Sequence, residues 1–259
     1  MVLLSIYISS NDFNEFFADC LKYHLHVVAE QQRAAAFEMD VVKSRKSTLD
    51  LEARVWTAPD KLEPMISTKR LTLRLMSEAF MQACIEKRVN DAETLLGASL
   101  SPEWFEEMGF LAMRVEQLRQ DPEYTIWGPR AVVLEVEQRV IGHIGFHGQP
   151  NQPYLLEFVP DGIEFGYTID GAYQRQGFAF EASIGLMRWA ALERGIKRFV
   201  LSVSPDNAAS QGLAAKLGFK KVGEHIDLED GLEEVFELTG DSLAKWLEPE
   251  AVGGNHVHR

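Results

Sequence analysis

The polarity pattern changes character part-way along the chain. Between Asn11 and about Ala36, apolar side chains recur at Phe13, Phe17, Cys20, Leu21 and Val28, with His24 in the same row. That spacing predicts a helix with one buried stripe, capped at Asn11 or Asp12. From Phe37 to Trp56 the pattern is ambiguous. A solvated charge run, KSRKST, precedes a stretch that fits either helix or strand. Pro59 and Pro64 mark a linker. Residues 1–64 therefore read as a mostly helical N-terminal extension. Its stripe needs cover, either from the main domain or from the same helix in a homodimer.

From Met65 the rhythm is different. Arg70 to Met76 alternates apolar and polar positions, which predicts a strand. Ser77 to Val89 predicts a helix with Ser77 as cap. Ser101, followed by Pro102 and Glu103, opens a second helix that Asp121-Pro122 ends. Two β-rich runs, Arg130–Glu135 and Val140–Phe146, flank a turn from Val136. Gly148 to Pro160 carries three prolines and reads as a loop. Gly162–Ile169 is a strand, and a glycine-bearing turn leads from it into a helix ending near Arg194-Gly195. Then follow a strand at Phe199–Ser204, a helix at Asn207–Leu217 and strands at Phe219–Ile226 and Leu232–Leu238. A short helix at Ser242–Leu247 closes a domain of residues 65–248, and residues 249–259 form a flexible tail. The order is mixed α+β, which excludes the regular alternation of doubly wound and barrel folds.

Composition narrows the function classes. The chain has 259 residues and a net charge of −13. The first 60 residues carry 6 basic and 9 acidic side chains, so the acidity is not confined to one segment. No basic face for nucleic acid is expected, and an acidic surface attracts cationic substrates. No apolar run approaches the ~20 residues of a membrane span. The apolar start lacks the basic flank and cleavage site of a signal peptide. Cys20 and Cys84 make neither a disulfide framework nor a zinc spacing. A soluble, cytoplasmic protein without membrane or metal is the expectation.

The most informative stretch is Tyr173-Gln174-Arg175-Gln176-Gly177-Phe178-Ala179-Phe180-Glu181-Ala182, between a predicted strand and a predicted helix. Gly177 allows a tight turn and close approach of an anion. The amides of the first helical turn have no intrahelical partners and point at whatever sits there. Arg175 adds a positive charge. These are the parts of a pyrophosphate cradle, although an ordinary strand-to-helix turn with a convenient glycine reads the same way. The stretch matches neither the Walker loop nor the dinucleotide fingerprint.

With these residues in view, the chain resembles the GNAT family of acyl-CoA-dependent N-acyltransferases, whose loop pattern [Q/R]-x-x-G-x-[G/A] is matched by Gln174, Gly177 and Ala179. Glu164-Phe165-Gly166-Tyr167 resembles the E-x-G-Y strand of the ribosomal-protein N-acetyltransferase branch. Phe180-Glu181-Ala182 resembles that branch's helix start, and Asn207 to Phe219 its N-x-x-S…K-L-G-F segment. The likeness spans about Ser67 to Glu248. Asp170-Gly171-Ala172 stands where many members have a proline before the loop. The resemblance implies a mixed central sheet flanked by helices. Its two parallel strands, here Gly162–Ile169 and Phe199–Ser204, would splay to admit acetyl-CoA. It implies that the backbone of Tyr167, Thr168 and Ile169 holds the pantetheine arm. The amides of Arg175, Gln176, Gly177, Phe178, Ala179 and Phe180 would hold the pyrophosphate. Asn207 would reach the pantetheine or the sulfur end.

Acyl transfer to an amine needs a neutral nucleophile, a stabilised oxyanion and a proton for the thiolate. A backbone amide near Tyr167 suits the oxyanion. Glu164 is the expected base, because a carboxylate in an apolar strand should have a raised pKa. The plainer reading is an ion pair with a neighbouring strand. Ser210 is the expected acid, one turn after Asn207; alternatively the two merely organise a helix start. Tyr167 is a weaker acid candidate, and His143 and His147 are alternative bases. His256 and His258 in the tail resemble a metal pair only superficially. The leading expectation is acetyl transfer to a primary amine, either a protein N-terminal α-amine or a small cationic amine. The runner-up is a non-catalytic module that senses acyl-CoA or binds a partner.

Overall fold

The computed structural model describes residues 65–106, 108–227 and 231–248. The expected N-terminal helix, the linker and the tail lie outside them. Among the described residues, eight strands form one mixed sheet in the order β1-β2-β3-β4-β5-β6-β8-β7. They are β1 (Ile66–Ser67), β2 (Leu71–Leu75), β3 (Arg130–Leu134), β4 (Arg139–Phe146), β5 (Ile163–Ile169), β6 (Phe199–Val203), β7 (Lys220–Asp227) and β8 (Gly231–Leu238). The helices are α1 (Glu78–Ile85), α2 (Val89–Leu96), α3 (Met108–Gln120), α4 (Phe178–Arg194), α5 (Ala208–Leu217) and α6 (Gly240–Leu247).

Strand alternation splits the buried residues into two cores. In β3, Val132 and Leu134 face one side and pack with Leu71, Leu73, Ile144 and residues of α4 such as Leu186 and Met187. Ala131 and Val133 face the other side, with Phe80, Cys84, Trp104 and Leu111 from the α1–α3 region. The sheet is therefore a wall with helices on both faces.

Three local differences from the sequence expectation have physical causes. Ser77 caps α1, accepting from the Phe80 amide at 3.2 Å, but the helix stops at Ile85. Lys87 turns the chain with φ +56, and α2 follows, which polar Asn90, Asp91 and Glu93 hid from the periodicity. The helix expected from Ser101 is a 3₁₀ turn, Pro102–Phe105, capped by Ser101, before α3 starts at Met108. The proline-rich segment after β4 contains a 3₁₀ turn at Pro153–Leu155. Leu155 and Val159 are fully buried against Val200 and Val235, so the segment is anchored to β6 and β8.

Candidate active site

β5 and β6 are parallel neighbours only at Ile163↔Phe199 and Glu164↔Val200. Beyond Glu164, β5 stays with β4, from Phe165↔Phe146 to Ile169↔Gly142. The ladder phase follows from two hydrogen bonds. The His147 amide donates to Glu164 O at 3.0 Å, and the Asp170 amide donates to Ile141 O at 2.9 Å. Glu164, Gly166 and Thr168 therefore bond to β4, while the amides of Tyr167 and Ile169, beyond the last pairing with β6, face the gap. Thr168 departs from the expectation here: its backbone is engaged with β4, and its exposed side chain projects from the opposite face to Tyr167.

The loop after β5 closes one end of this gap. The Gln174 side-chain amide donates to Ile169 O at 2.8 Å, tying the loop to the strand end. Gln176 ties it again, donating to Ala172 O at 3.1 Å. Arg175 has φ +60, and Gly177, at the start of α4, has φ +81. Two left-handed residues this close turn successive amides toward one side, the geometry of an anion-binding nest. The Phe178, Ala179 and Phe180 amides complete it at the helix N-terminus.

The same helix start is clamped from beneath. Glu181, nearly buried, accepts from Thr68 Oγ1 at 2.7 Å, from the Arg70 amide at 2.6 Å and from Arg70 Nε at 2.6 Å. The Arg70 guanidinium also donates to Gln176 O at 3.1 Å and lies 4.2 Å from the centre of the Phe178 ring. Thus the turn between β1 and β2 fixes the direction in which the amides of α4 point.

Asn207 caps α5, its side-chain oxygen accepting from the Ser210 amide at 3.0 Å. That is the organising role weighed in the sequence. Across the gap, the Tyr167 hydroxyl is buried without a hydrogen-bond partner of normal geometry. Burial pushes this phenol up, and the nearby Ser210 hydroxyl pulls it partly back. The two acid candidates therefore meet, one from β5 and one from α5.

Glu164 sits where the strands part, with a side chain only 4% exposed. Tyr154 donates to its Oε2 at 2.6 Å, and His147 Nδ1 lies 3.5 Å from the same oxygen. Burial alone would push this carboxyl up. The neighbouring His147 ring, together with the Ser202 and Tyr154 hydroxyls, outweighs burial and holds it down at about 2. The raised value expected from an apolar strand is overturned, because hydrogen-bond donors outside the strand surround the group. Burial, and then the Glu164 charge, push the Tyr154 phenol up.

A cavity of about 630 Å³ opens beside Thr168, walled by Trp104, Phe110, His143, Glu103 and Asp170. His143 stacks on Phe110 with ring centres 4.3 Å apart. Burial, then the charge of Arg114, lower its pKa to about 4, so it is a neutral wall. Burial, then the charge of Glu103, raise the Asp170 carboxyl.

A family model described as an acetyltransferase (GNAT) domain matches residues 70–220. The chain belongs to the GNAT acetyltransferases. This acetyltransferase is 28% identical over 160 residues to the uncharacterized N-acetyltransferase YoaA of Bacillus subtilis, an overlap covering 62% of this chain and 85% of the relative. Among solved structures it is similar to a ribosomal-protein-alanine acetyltransferase from Vibrio fischeri, with 19% identity and a TM-score of 0.48 over 69% of this chain and 97% of that one. It is also similar to RimL, a ribosomal alpha-N-protein acetyltransferase in complex with coenzyme A, with 20% identity and a TM-score of 0.49 over 69% and 99% of the chains.

In this acetyltransferase, the sequence-derived residues from Glu164 to Phe180, Thr168 excepted, line or close one gap, and Ser210 meets Tyr167 across it. Tyr154 went unseen, because it lies in an irregular segment without periodicity. Arg70 read only as the start of a strand, and Glu181 only as part of a motif; no local pattern announces an ion pair spanning 111 residues. Among the described residues no group of three or more His, Cys, Asp or Glu is placed to hold a metal. No described helix is long and apolar enough to cross a membrane. His256 and His258 lie outside the described residues.

Proposed function

We propose that this acetyltransferase binds acetyl-CoA in the gap between β5 and β6 and passes the acetyl group directly to a primary amine in a ternary complex. One observation carries this reading: the unpaired amides of β5 run straight into the nest at the start of α4. The amides of Tyr167 and Ile169 suit the pantetheine, and those of Arg175 to Phe180 suit the pyrophosphate. Glu164 belongs to the centre that deprotonates the amine. The Ser210 hydroxyl, with that of Tyr167 beside it, supplies a proton to the departing thiolate.

The acceptor enters on the Thr168 face, where Glu103 and Asp170 favour a cation. A protein N-terminal α-amine and a small cationic amine both meet that requirement. The two-cysteine composition suits work in the reducing cytoplasm. Residues 1–64 act as an accessory element and not as part of the catalytic domain.

The test is thiol release from acetyl-CoA with a panel of peptides bearing free N-termini and of polyamines. Turnover with at least one amine, absent without enzyme, is the expected result. No thiol release with any amine, although coenzyme A raises the melting temperature, would favour a sensor over an enzyme.

A further inference from the structure

We infer that the acceptor is a primary amine bearing a second positive charge, an alkylammonium that Asp170 and Glu103 hold in the cavity beside Thr168. This rests on the acyl-transfer reading above and narrows its substrate class. The cation bound by these carboxylates is not the nitrogen that reacts.

Distance separates the two nitrogens. Glu164, Thr168 and Asp170 alternate with Phe165, Tyr167 and Ile169 and so share one face. Asp170 continues the extended run of β5, with φ −54 and ψ 141. At about 3.3 Å per residue, it lies roughly 20 Å beyond Glu164 and roughly 10 Å beyond the Tyr167 amide, which borders the proposed thioester site. A nitrogen attacking there is out of reach of Asp170. The chemistry agrees. A carboxylate favours the charged form of a nearby ammonium and keeps its proton on. That suits a nitrogen that stays charged, not one that must become neutral.

The two carboxylates differ in what answers them. The Glu103 amide and the Ser101 hydroxyl, with the charge of Arg139, hold the Glu103 carboxyl down. Asp170 has a fixed backbone: its amide donates to Ile141 O at 2.9 Å, and its carbonyl accepts from the Tyr173 amide at 2.8 Å. Among the described residues, however, nothing donates to its side chain. This half-buried carboxylate instead faces the like charge of Glu103. Glu106 adds a third acidic group to the lining, against one basic group, Arg139. A carboxylate partly withdrawn from water and left without a donor is completed by a ligand cation.

The rest of the cavity suits a methylene chain. Trp104 and Phe110 supply apolar walls, and His143 lies opposite Thr168 on the neighbouring strand. His143 is neutral and does not repel a cation. Phe110 already carries the His143 ring at 4.3 Å and the Arg114 guanidinium at 5.2 Å, so the ligand's charge is left to the carboxylates. Ile169 borders both spaces: it lines the cavity, and its amide faces the gap. A chain anchored at Asp170 therefore runs past Thr168 toward the thioester. A linear diamine, or a lysine near a peptide's free N-terminus, supplies this chemistry.

The experiment uses the full chain and acetyl-CoA with two matched pairs of acceptors. One pair is the α,ω-diamine of octane against octylamine. The other is a set of peptides with free N-termini that carry lysine or norleucine near the start. In at least one pair, the doubly charged acceptor should have a kcat/KM about 10–100-fold higher, the worth of one charge-assisted contact. The pair that responds names the source of the charge. Asp170→Asn should abolish most of that ratio and keep the melting shift given by coenzyme A. Glu103→Gln, at an exposed position, should reduce the ratio less, and it carries the test if Asp170→Asn melts early. A ratio near one in both pairs, or a ratio that both variants leave untouched, would overturn the inference. Amide NMR signals of Thr168 and Gly171, followed without acetyl-CoA, give a second readout. They should move on adding the doubly charged member of the responding pair and not on adding its partner. A wild-type enzyme inactive with every amine would defeat the acyl-transfer reading instead. The titration would then decide the cavity alone, and signals unmoved by either doubly charged ligand would overturn the assignment.

Discussion

The two sides of the cleft are made of different material. The proposed cofactor side is mostly main chain: the free amides of β5, the left-handed turn at Arg175 and Gly177, and the first turn of α4. The proposed acceptor side is built from side chains that arrive from separate elements. Tyr154 comes from the segment after β4, His147 from the end of β4, and Trp104 and Phe110 from the α1–α3 region. A main-chain site depends on where strands part and which residues accept positive φ. A side-chain site depends on packing between distant segments. Substitutions should therefore act in distinguishable ways on the two sides.

The largest effect is expected where the main chain itself is at stake. Gly177 has φ +81 with open space around it, since an added Cβ would meet Arg70 only at 3.6 Å. The constraint is conformational, not steric crowding. Gly177→Val forces a β-branched residue into a region it avoids and turns the nest amides away. Coenzyme A at 100 times Kd should stabilise the wild-type protein by about 2.7 kcal/mol, and that melting shift should vanish in the variant. A retained shift would mean that the anion sits elsewhere.

Next is the anchor beneath the acceptor side. Leu155 is fully buried with Val159, Val200 and Val235. Leu155→Ala should cost about 2–5 kcal/mol in stability, measured by urea unfolding. It should also loosen Tyr154, the preceding residue in the chain, and lower turnover more than coenzyme A affinity. Equal losses in both would erase the distinction between the sides.

These positions show what could be read from sequence. The loop from Gln174 to Phe180 was legible because its chemistry is local: a glycine, small neighbours and a strand-to-helix junction. Most strands were legible from alternation, and the Ser77 and Asn207 caps from residue type. The 3₁₀ turn after Ser101 and helix α2 were not, since a few polar residues and one turn of backbone leave no periodic trace. The raised pKa expected for Glu164 failed for a similar reason. Strand alternation places that carboxylate, but His147, Ser202 and Tyr154 reach it from outside the strand, and they decide its charge.

A smaller effect follows from that charge. A free carboxyl titrates near 4.5, and folded Glu164 is held at about 2. A depressed folded value adds stability that is complete above the unfolded value and is lost as pH falls through the folded one. The stability difference between the wild type and Glu164→Gln should thus be steady above about pH 5 and should narrow progressively below it, toward pH 2. Denaturant titrations at a series of acid pH values measure this. A difference that stayed constant through that window would show that Glu164 carries no depressed pKa.

The most direct test of the main-chain claim is residue-resolved amide hydrogen exchange with and without saturating coenzyme A. The Tyr167 and Ile169 amides face the gap, while the Thr168 amide between them is already bonded to β4. Binding should slow exchange at Tyr167, Ile169 and Phe178 to Phe180 and leave Thr168 unchanged. Uniform protection along β5, or none at these amides while coenzyme A is bound, would contradict a cofactor site in the gap between β5 and β6.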